Sequence, residues 1–208
     1  MSMLESEPDV AKELFGTRID RARQYAADLE RWGEELGLIG PLELPRLWTR
    51  HLVNCVLPAP LLSPGFVGDV GSGAGLPGLV LAIARPDVHM VLIEPMERRT
   101  EWLLAESERL ELDNVTVVRA RAEEARLAQP LDQVTARAVT ALSKLIPITV
   151  PLVRSGGELV FMKGERVNQE VDAATKVIRK FRLRDVSVVT LGEGITPEAT
   201  RVFRATVD

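Results

Sequence analysis

The sequence predicts an α/β fold: a mostly parallel sheet finished by an antiparallel C-terminal hairpin, with helices at the N-terminus. Three observations carry that prediction. Short apolar segments of strand character alternate with amphipathic helical ones from residue 66 to about residue 181, the pattern of parallel βαβ units joined by right-handed crossovers. The first apolar segment, Phe66-Val67-Gly68-Asp69-Val70, runs directly into a glycine-rich turn, where the chain can reverse sharply into a helix. At the far end two strand-like segments follow one another with no helix between them, so the sheet ends in a hairpin.

Each element has its own signal. Residues 1–57 read as helical and are expected to pack on the core of one structural unit with residues 58–208. Leu14, Arg18, Arg21, Tyr25, Asp28, Leu29 and Trp32 recur at helical spacing, and Gly37 with Gly40-Pro41 punctuate the end. A second helix is predicted over about 44–57, stopped by Pro58, and the three prolines of 58–65 make a loop. Beyond the first strand, a helix over 76–84 is entered through Pro77. The spacing then predicts strands over 90–93, 115–119, 132–136 and 157–163, with helices over 98–110, 142–153 and 171–181 between and after them. Strands over 186–191 and 202–207 form the hairpin.

Composition narrows the functional classes. Apolar residues make up 46 % of the 208 and charged residues 27 %, which allows a sizeable core and argues against global disorder. The lone Cys55 can form neither an intramolecular disulfide nor, by itself, a thiolate metal site, so no metal is expected and a reducing cytoplasm fits. The acidic opening MSMLESEPDVAKELFG lacks the features of a signal peptide. No apolar run approaches the ~20 residues that span a bilayer, so no membrane partner is expected. A net charge of −4 argues against a sequence-independent nucleic-acid coat. It leaves room for an enzyme with a local basic surface, and arginines do cluster at Arg46 and Arg50, at Arg119, Arg121 and Arg126, and from Arg179 to Arg184.

The turn Gly68-Asp69-Val70-Gly71-Ser72-Gly73-Ala74-Gly75-Leu76-Pro77-Gly78 is the main functional signal. Gly71, Gly73 and Gly75 let a ligand approach the backbone beside a helix N-terminus, which points to a nucleotide-like ligand on a Rossmann-like sheet. The same residues satisfy the dinucleotide pattern G-x-G-x-x-G, so nicotinamide binding stays open as one alternative. Against it, Asp69 at the strand end suits the ammonium of a methionine moiety and would repel a pyrophosphate. Glu94, ending the next strand, can accept ribose hydroxyls in either case. The single tyrosine, Tyr25, lies far upstream, and no Tyr-x-x-x-Lys arrangement follows. A methyl-donor site is the favoured reading, with S-adenosylmethionine as cofactor.

The series Arg50-His51-Leu52, Asp69 to Gly78, Ala84-Arg85-Pro86, Arg121-Ala122-Glu123-Glu124, Arg137-Ala138 and Met162-Lys163-Gly164 resembles the glucose-inhibited division protein B family. Its members are 16S rRNA 7-methylguanosine methyltransferases on a class I S-adenosylmethionine-dependent fold. The resemblance runs from about Tyr25 to Gly164, and its specificity lies in the combination of segments. It implies that Gly71 and Leu76 line the cofactor pocket, that Glu94 holds the ribose, and that Ala122 and Glu123 meet the adenine. It implies that Arg137 stands on the cofactor or substrate side and that Lys163 faces RNA, the two expected to serve catalysis or RNA positioning. His51, with Asn54, is placed at the active-site mouth on the substrate side. The part from about Asn168 matches weakly; within it Arg201 falls near a basic substrate-contact position. Where the family often carries Asn-Leu-Thr, this chain has Leu38-Ile39-Gly40.

The implied chemistry agrees with what the chain lacks. Guanine N7 carries a free lone pair and no proton, so its methylation requires alignment and no general base. The Asn-Pro-Pro-aromatic tetrapeptide suited to exocyclic amines is absent after the fourth strand, where Arg137-Ala138-Val139-Thr140 stands. The expected partner is 16S rRNA, free or within the small ribosomal subunit, with Trp48 open equally between a stacking surface and core packing, and the enzyme acting as a monomer. Two other readings use the same fold: a methyltransferase for a small molecule or protein, and a non-catalytic cofactor- or RNA-binding domain.

Overall fold

A computed structural model describes residues 4–40, 42–197 and 199–208. Among the described residues seven strands form one sheet: β1 (Gly65–Val70), β2 (Val88–Ile93), β3 (Val115–Val118), β4 (Leu131–Arg137), β5 (Val153–Lys163), β6 (Arg184–Leu191) and β7 (Thr200–Thr206). Their order is β3-β2-β1-β4-β5-β7-β6. The first five are parallel, while β7 runs antiparallel to both β5 and β6. The expected hairpin is present, with β7 in the interior and β6 at the edge. The order reverses between β1 and β4, both of which start from the sheet's centre. In such sheets the crevice beyond the carboxyl ends at the reversal is where ligands bind.

The helices are α1 (Val10–Phe15), α2 (Ile19–Trp32), α3 (Asn54–Val56), α4 (Gly78–Ala84), α5 (Glu97–Arg109), α6 (Leu142–Thr149) and α7 (Val167–Lys180). On α2, Ala22, Tyr25, Ala26 and Leu29 are buried, the i, i+3, i+4, i+7 stripe of a helix lying on a core. That stripe joins one apolar cluster with α4, α5 and one face of the sheet, while α6 and α7 cover the other face. Glu170 on α7 accepts the Leu142 N–H at 3.0 Å and so satisfies one of the free donors at the start of α6. Among the described residues no helix is long and apolar enough to cross a membrane.

Several boundaries differ from expectation, each for a local reason. The first helix is broken at Gly16, whose φ of +53° interrupts it before a short 3-10 turn leads into α2. Of the expected punctuation, Pro41 lies outside the described residues. The predicted helix over 44–57 is a 3-10 turn at Leu44–Arg46, a π-helix at Leu47–Val53 and then α3. The wider π turn coincides with a bond from Arg137 to the Arg50 carbonyl. Residue 153 belongs to β5, because α6, which accommodates Pro147, gives way at Pro151 to a 3-10 turn. Helix α7 starts four residues earlier than its apolar spacing suggested.

Candidate active site at the carboxyl edge of the sheet

The glycine turn owes its shape to positive φ angles: +73° at Gly71, +58° at Gly73 and +103° at Gly75. Three sets of bonds fix it. The Gly71 N–H donates to the Ile93 carbonyl at 2.8 Å, tying the turn to β2. Glu94 accepts the Gly73 N–H at 2.9 Å with one oxygen and the Met96 N–H at 2.9 Å with the other. The Ala74 carbonyl receives both the Tyr25 hydroxyl at 2.9 Å and the Trp102 indole N–H at 2.8 Å. Sequence reasoning did not assign Tyr25 and Trp102 to the turn, because the residues they meet lie 49 and 28 positions away.

Asp69 is fully buried on β1, and its Oδ2 accepts the Gly78 N–H at 2.9 Å. Burial, opposed by that N–H, pushes its carboxyl up to about 7, and Oδ1 has no hydrogen-bond partner. Asp69 therefore lies beneath the turn and is not among the residues that line the cleft. Gly78 packs against Asp69 and Leu92, where a β-carbon would overlap both.

Above the turn lies a cleft of about 300 Å³. Gly71 to Ala74 and Leu76 line it from the turn, Leu38, Ile39, Gly40 and Glu43 from the N-terminal segment, and His51, Arg99, Arg137 and Ala138 complete the wall. The segment standing in place of Asn-Leu-Thr is thus part of this wall. Gly75 lies within the turn against Leu79. Glu94, Ala122 and Glu123 sit outside the lining: Glu94 beneath it, and Ala122 and Glu123 in a 3-10 turn after β3, Ala122 buried and Glu123 exposed.

Arg137, at the end of β4, is held by the N-terminal helices. Its guanidinium donates to Cys55 Sγ at 3.0 Å, to the Arg50 carbonyl at 3.2 Å and to His51 Nδ1 at 3.1 Å. With Nδ1 accepting, His51 carries its proton on Nε2 and donates it to Glu43 at 2.6 Å. Burial, and then the charge of Arg137, pull the His51 pKa down to about 4, so the ring is neutral at physiological pH. Burial pushes the Cys55 thiol up, which keeps it a thiol. His51 thus lines the glycine-turn cleft and orients Arg137.

A second cleft of about 600 Å³ opens on the other side of Arg137 and Ala138. Arg50 and Asn54, Met162 and Lys163, Glu165, and Thr200 and Arg201 line it. Lys163 and Arg201 are register partners across β5 and β7, which is why residues so far apart in sequence meet here. The Lys163 ammonium is engaged by the chain itself, with the Thr140 carbonyl at 3.0 Å and Glu170 at 2.6 Å. Lys163 thus anchors the segment after β4 while bordering the cleft. Trp48 is buried at 3 % exposure and belongs to the core, so it offers no stacking face. Among the described residues no His, Cys, Asp and Glu group could hold a metal ion.

These residues fit a methyl donor with an adenosyl and an amino-acid end. A β-carbon at Gly71 would come within 2.8 Å of Val139, so only glycine leaves room beside that side chain. The cleft holds a backbone turn and the guanidinium groups of Arg99 and Arg137 but no proton-relaying tyrosine, since the Tyr25 hydroxyl is spent on Ala74.

The sheet and its turn define the fold of the Rossmann-like, S-adenosylmethionine-dependent methyltransferases. An S-adenosylmethionine-dependent methyltransferase from Aquifex aeolicus superposes with a TM-score of 0.57 at 17 % identity, covering 84 % of this chain and 97 % of its own. The N-methyltransferase NodS from Bradyrhizobium japonicum, crystallised with S-adenosyl-l-homocysteine, gives 0.56 at 16 % identity over 88 % of this chain and 98 % of its own. The chain belongs to the GidB family, described as rRNA small subunit methyltransferase G, whose model matches residues 18–199. Ribosomal RNA small subunit methyltransferase G of Clavibacter michiganensis subsp. michiganensis is 65 % identical over 205 residues, 99 % of this chain and 97 % of the relative. The protein of the same name from Corynebacterium glutamicum is 46 % identical over 200 residues, 94 % and 90 % of the two chains.

Proposed function

We propose that this protein transfers a methyl group from S-adenosylmethionine to N7 of a guanine in 16S ribosomal RNA. The observation that carries the reading is the pair of clefts sharing Arg137 and Ala138, one against the glycine turn and one bordered by Arg50, Lys163 and Arg201. The first suits the methyl donor, and the second suits a polyanion whose reacting base must reach the common wall. Family membership supports the same assignment.

Gly71, Gly73, Leu76 and Arg137 would hold S-adenosylmethionine in the first cleft, where its sulfonium would supply an electrophilic methyl for the N7 lone pair, the C–S bonding pair staying with sulfur. The chain's own residues align the partners, which is the main source of rate for a reaction that needs no base. Gly71, Gly73, Leu76 and Arg137 border the donor, with Gly75 shaping the turn. Glu94 is placed to serve the ribose once it exchanges its hold on the turn, and Ala122 and Glu123 meet the adenine edge. Asp69 braces the turn from below through Gly78. Arg137 is directed toward Cys55, Arg50 and His51, an orientation that keeps its charge from opposing the cationic purine. Lys163 holds the Thr140 carbonyl and with it the segment between the clefts. Arg50 and Arg201 meet phosphates. The enzyme acts in the cytoplasm as a monomer, on the RNA free or within the small subunit.

The test is transfer of labelled methyl from S-adenosylmethionine to small subunits, and to naked 16S rRNA, from cells lacking this protein, with the modified base identified by mass spectrometry. Label on guanine N7 is expected. Cofactor binding without transfer to either RNA form would overturn the ribosomal assignment.

A further inference from the structure

We propose that Arg99 is the anion-binding residue of the glycine-turn cleft and takes the carboxylate at the amino-acid end of the methyl donor, an assignment that rests on the methyl-donor reading above. Arg99 stands in the first turn of α5 and lines the cleft with His51 and Arg137. The other two are committed to the chain: His51 lies neutral between Glu43 and Arg137, and Arg137 is held by Cys55, Arg50 and His51. Arg99 has no hydrogen bond or ion pair among the described residues, and its Nε is buried without a partner. A guanidinium N–H withdrawn from water and given no acceptor is costly, and native structures seldom keep one without a use. The side chain lies against the turn, one terminal nitrogen 4.0 Å from where a β-carbon of Gly73 would stand. The adjacent Arg98 turns instead toward Gly37, 2.9 Å from the corresponding point there.

Charge decides which part of the ligand meets Arg99. The methyl donor carries a sulfonium and an ammonium, both of which a free guanidinium repels, and one carboxylate. The residues assigned to ribose and adenine, Glu94, Ala122 and Glu123, are not part of this wall, whereas Leu38, Ile39 and Gly40 are. The space between the turn and the N-terminal segment therefore belongs to the amino-acid end. A planar guanidinium fork matches a carboxylate with two parallel N–H donors. The carboxylates nearest the cleft are occupied: Glu43 by His51 and Arg46, and Glu94 by two backbone N–H groups. None of them neutralises Arg99, and the ligand's own carboxylate does.

The experiment is calorimetric binding of S-adenosylhomocysteine and of its decarboxylated analogue, S-adenosyl-3-thiopropylamine, to wild type, Arg99→Gln and Arg99→Lys. Wild type is expected to prefer the carboxylate-bearing ligand by about 10- to 100-fold, the range of a charge-assisted hydrogen-bonded pair. Arg99→Gln is expected to lose that preference while binding the decarboxylated amine at least as well as wild type, and Arg99→Lys to keep part of it. Equal affinities in wild type, the result expected if Arg99 served an RNA phosphate instead, or an equal loss for both ligands in Arg99→Gln, would overturn the assignment of Arg99 to the carboxylate. Wild type that binds neither ligand would overturn the methyl-donor reading beneath it.

Discussion

Replacing Tyr25 by Phe removes one hydroxyl from a fully buried side chain and leaves its ring in place. The lost partner is the Ala74 carbonyl, 2.9 Å away, which keeps its second donor, the Trp102 indole at 2.8 Å. The single variant therefore forfeits one ordinary buried hydrogen bond without orphaning the carbonyl, a cost of about 1 kcal/mol. In a chain of this size that lowers Tm by roughly 2–4 °C. Trp102→Phe loses the other bond together with part of a buried ring, about 2 kcal/mol. In the double variant the carbonyl, in a residue only 5 % exposed, has no donor left. An unsatisfied buried acceptor adds about 1–3 kcal/mol, so the double variant should be less stable than the sum of the singles by about 1–2 kcal/mol. Urea unfolding of the four proteins closes the cycle. Strict additivity would refute the idea that these two side chains hold the turn through one shared carbonyl.

Three further outcomes are expected. His51 has its folded pKa depressed to about 4 from 6.5, so its contribution to stability is present above pH 6.5 and is lost as pH falls through 4; His51→Gln should flatten the acid arm of a pH–stability curve in that window. Glu106 is buried between α2 and α5, and burial, with repulsion from Asp28, raises its pKa to about 8. The stability it contributes is fully present below 4.5 and lost as pH rises through 8, so Glu106→Gln should gain most over wild type in thermal melts at mildly alkaline pH, and equal gains at pH 5 and 9 would contradict this. Gly78→Ala would press a methyl group to 2.5 Å from Asp69 Oδ2 and into Leu92, an overpacking cost of about 1–3 kcal/mol or more; an unchanged urea midpoint would count against close packing there.

What was legible in the sequence is what depends on neighbours along the chain. The strand-turn-helix at Gly65 to Ala84 and the later alternation could be read because apolar spacing and glycine placement are local signals. The π-helix at Leu47–Val53 was not legible, since seven residues of helical periodicity do not separate i→i+4 from i→i+5 bonding. The insertion of β7 between β5 and β6 escaped notice for a related reason, because strand order is settled by long-range pairing. Of the residues that line the glycine-turn cleft, Gly71, Gly73, Leu76 and Arg137 carry a motif or the resemblance. The supporting residues Tyr25, Glu43, Arg99 and Trp102 carry no motif. Their importance comes from partners 8 to 49 positions away, or, for Arg99, from having none.

Arg137 belongs to both clefts at once, and its guanidinium is tied by three bonds to a helix that neither glycine turn nor β4 includes. Any ligand that displaces one of those bonds from one side alters the surface offered on the other. Linkage then requires the effect to be mutual: whatever factor the methyl donor applies to the affinity for RNA, RNA applies to the affinity for the donor. For the function proposed above, the coupling between the two affinities would pass through the same three hydrogen bonds.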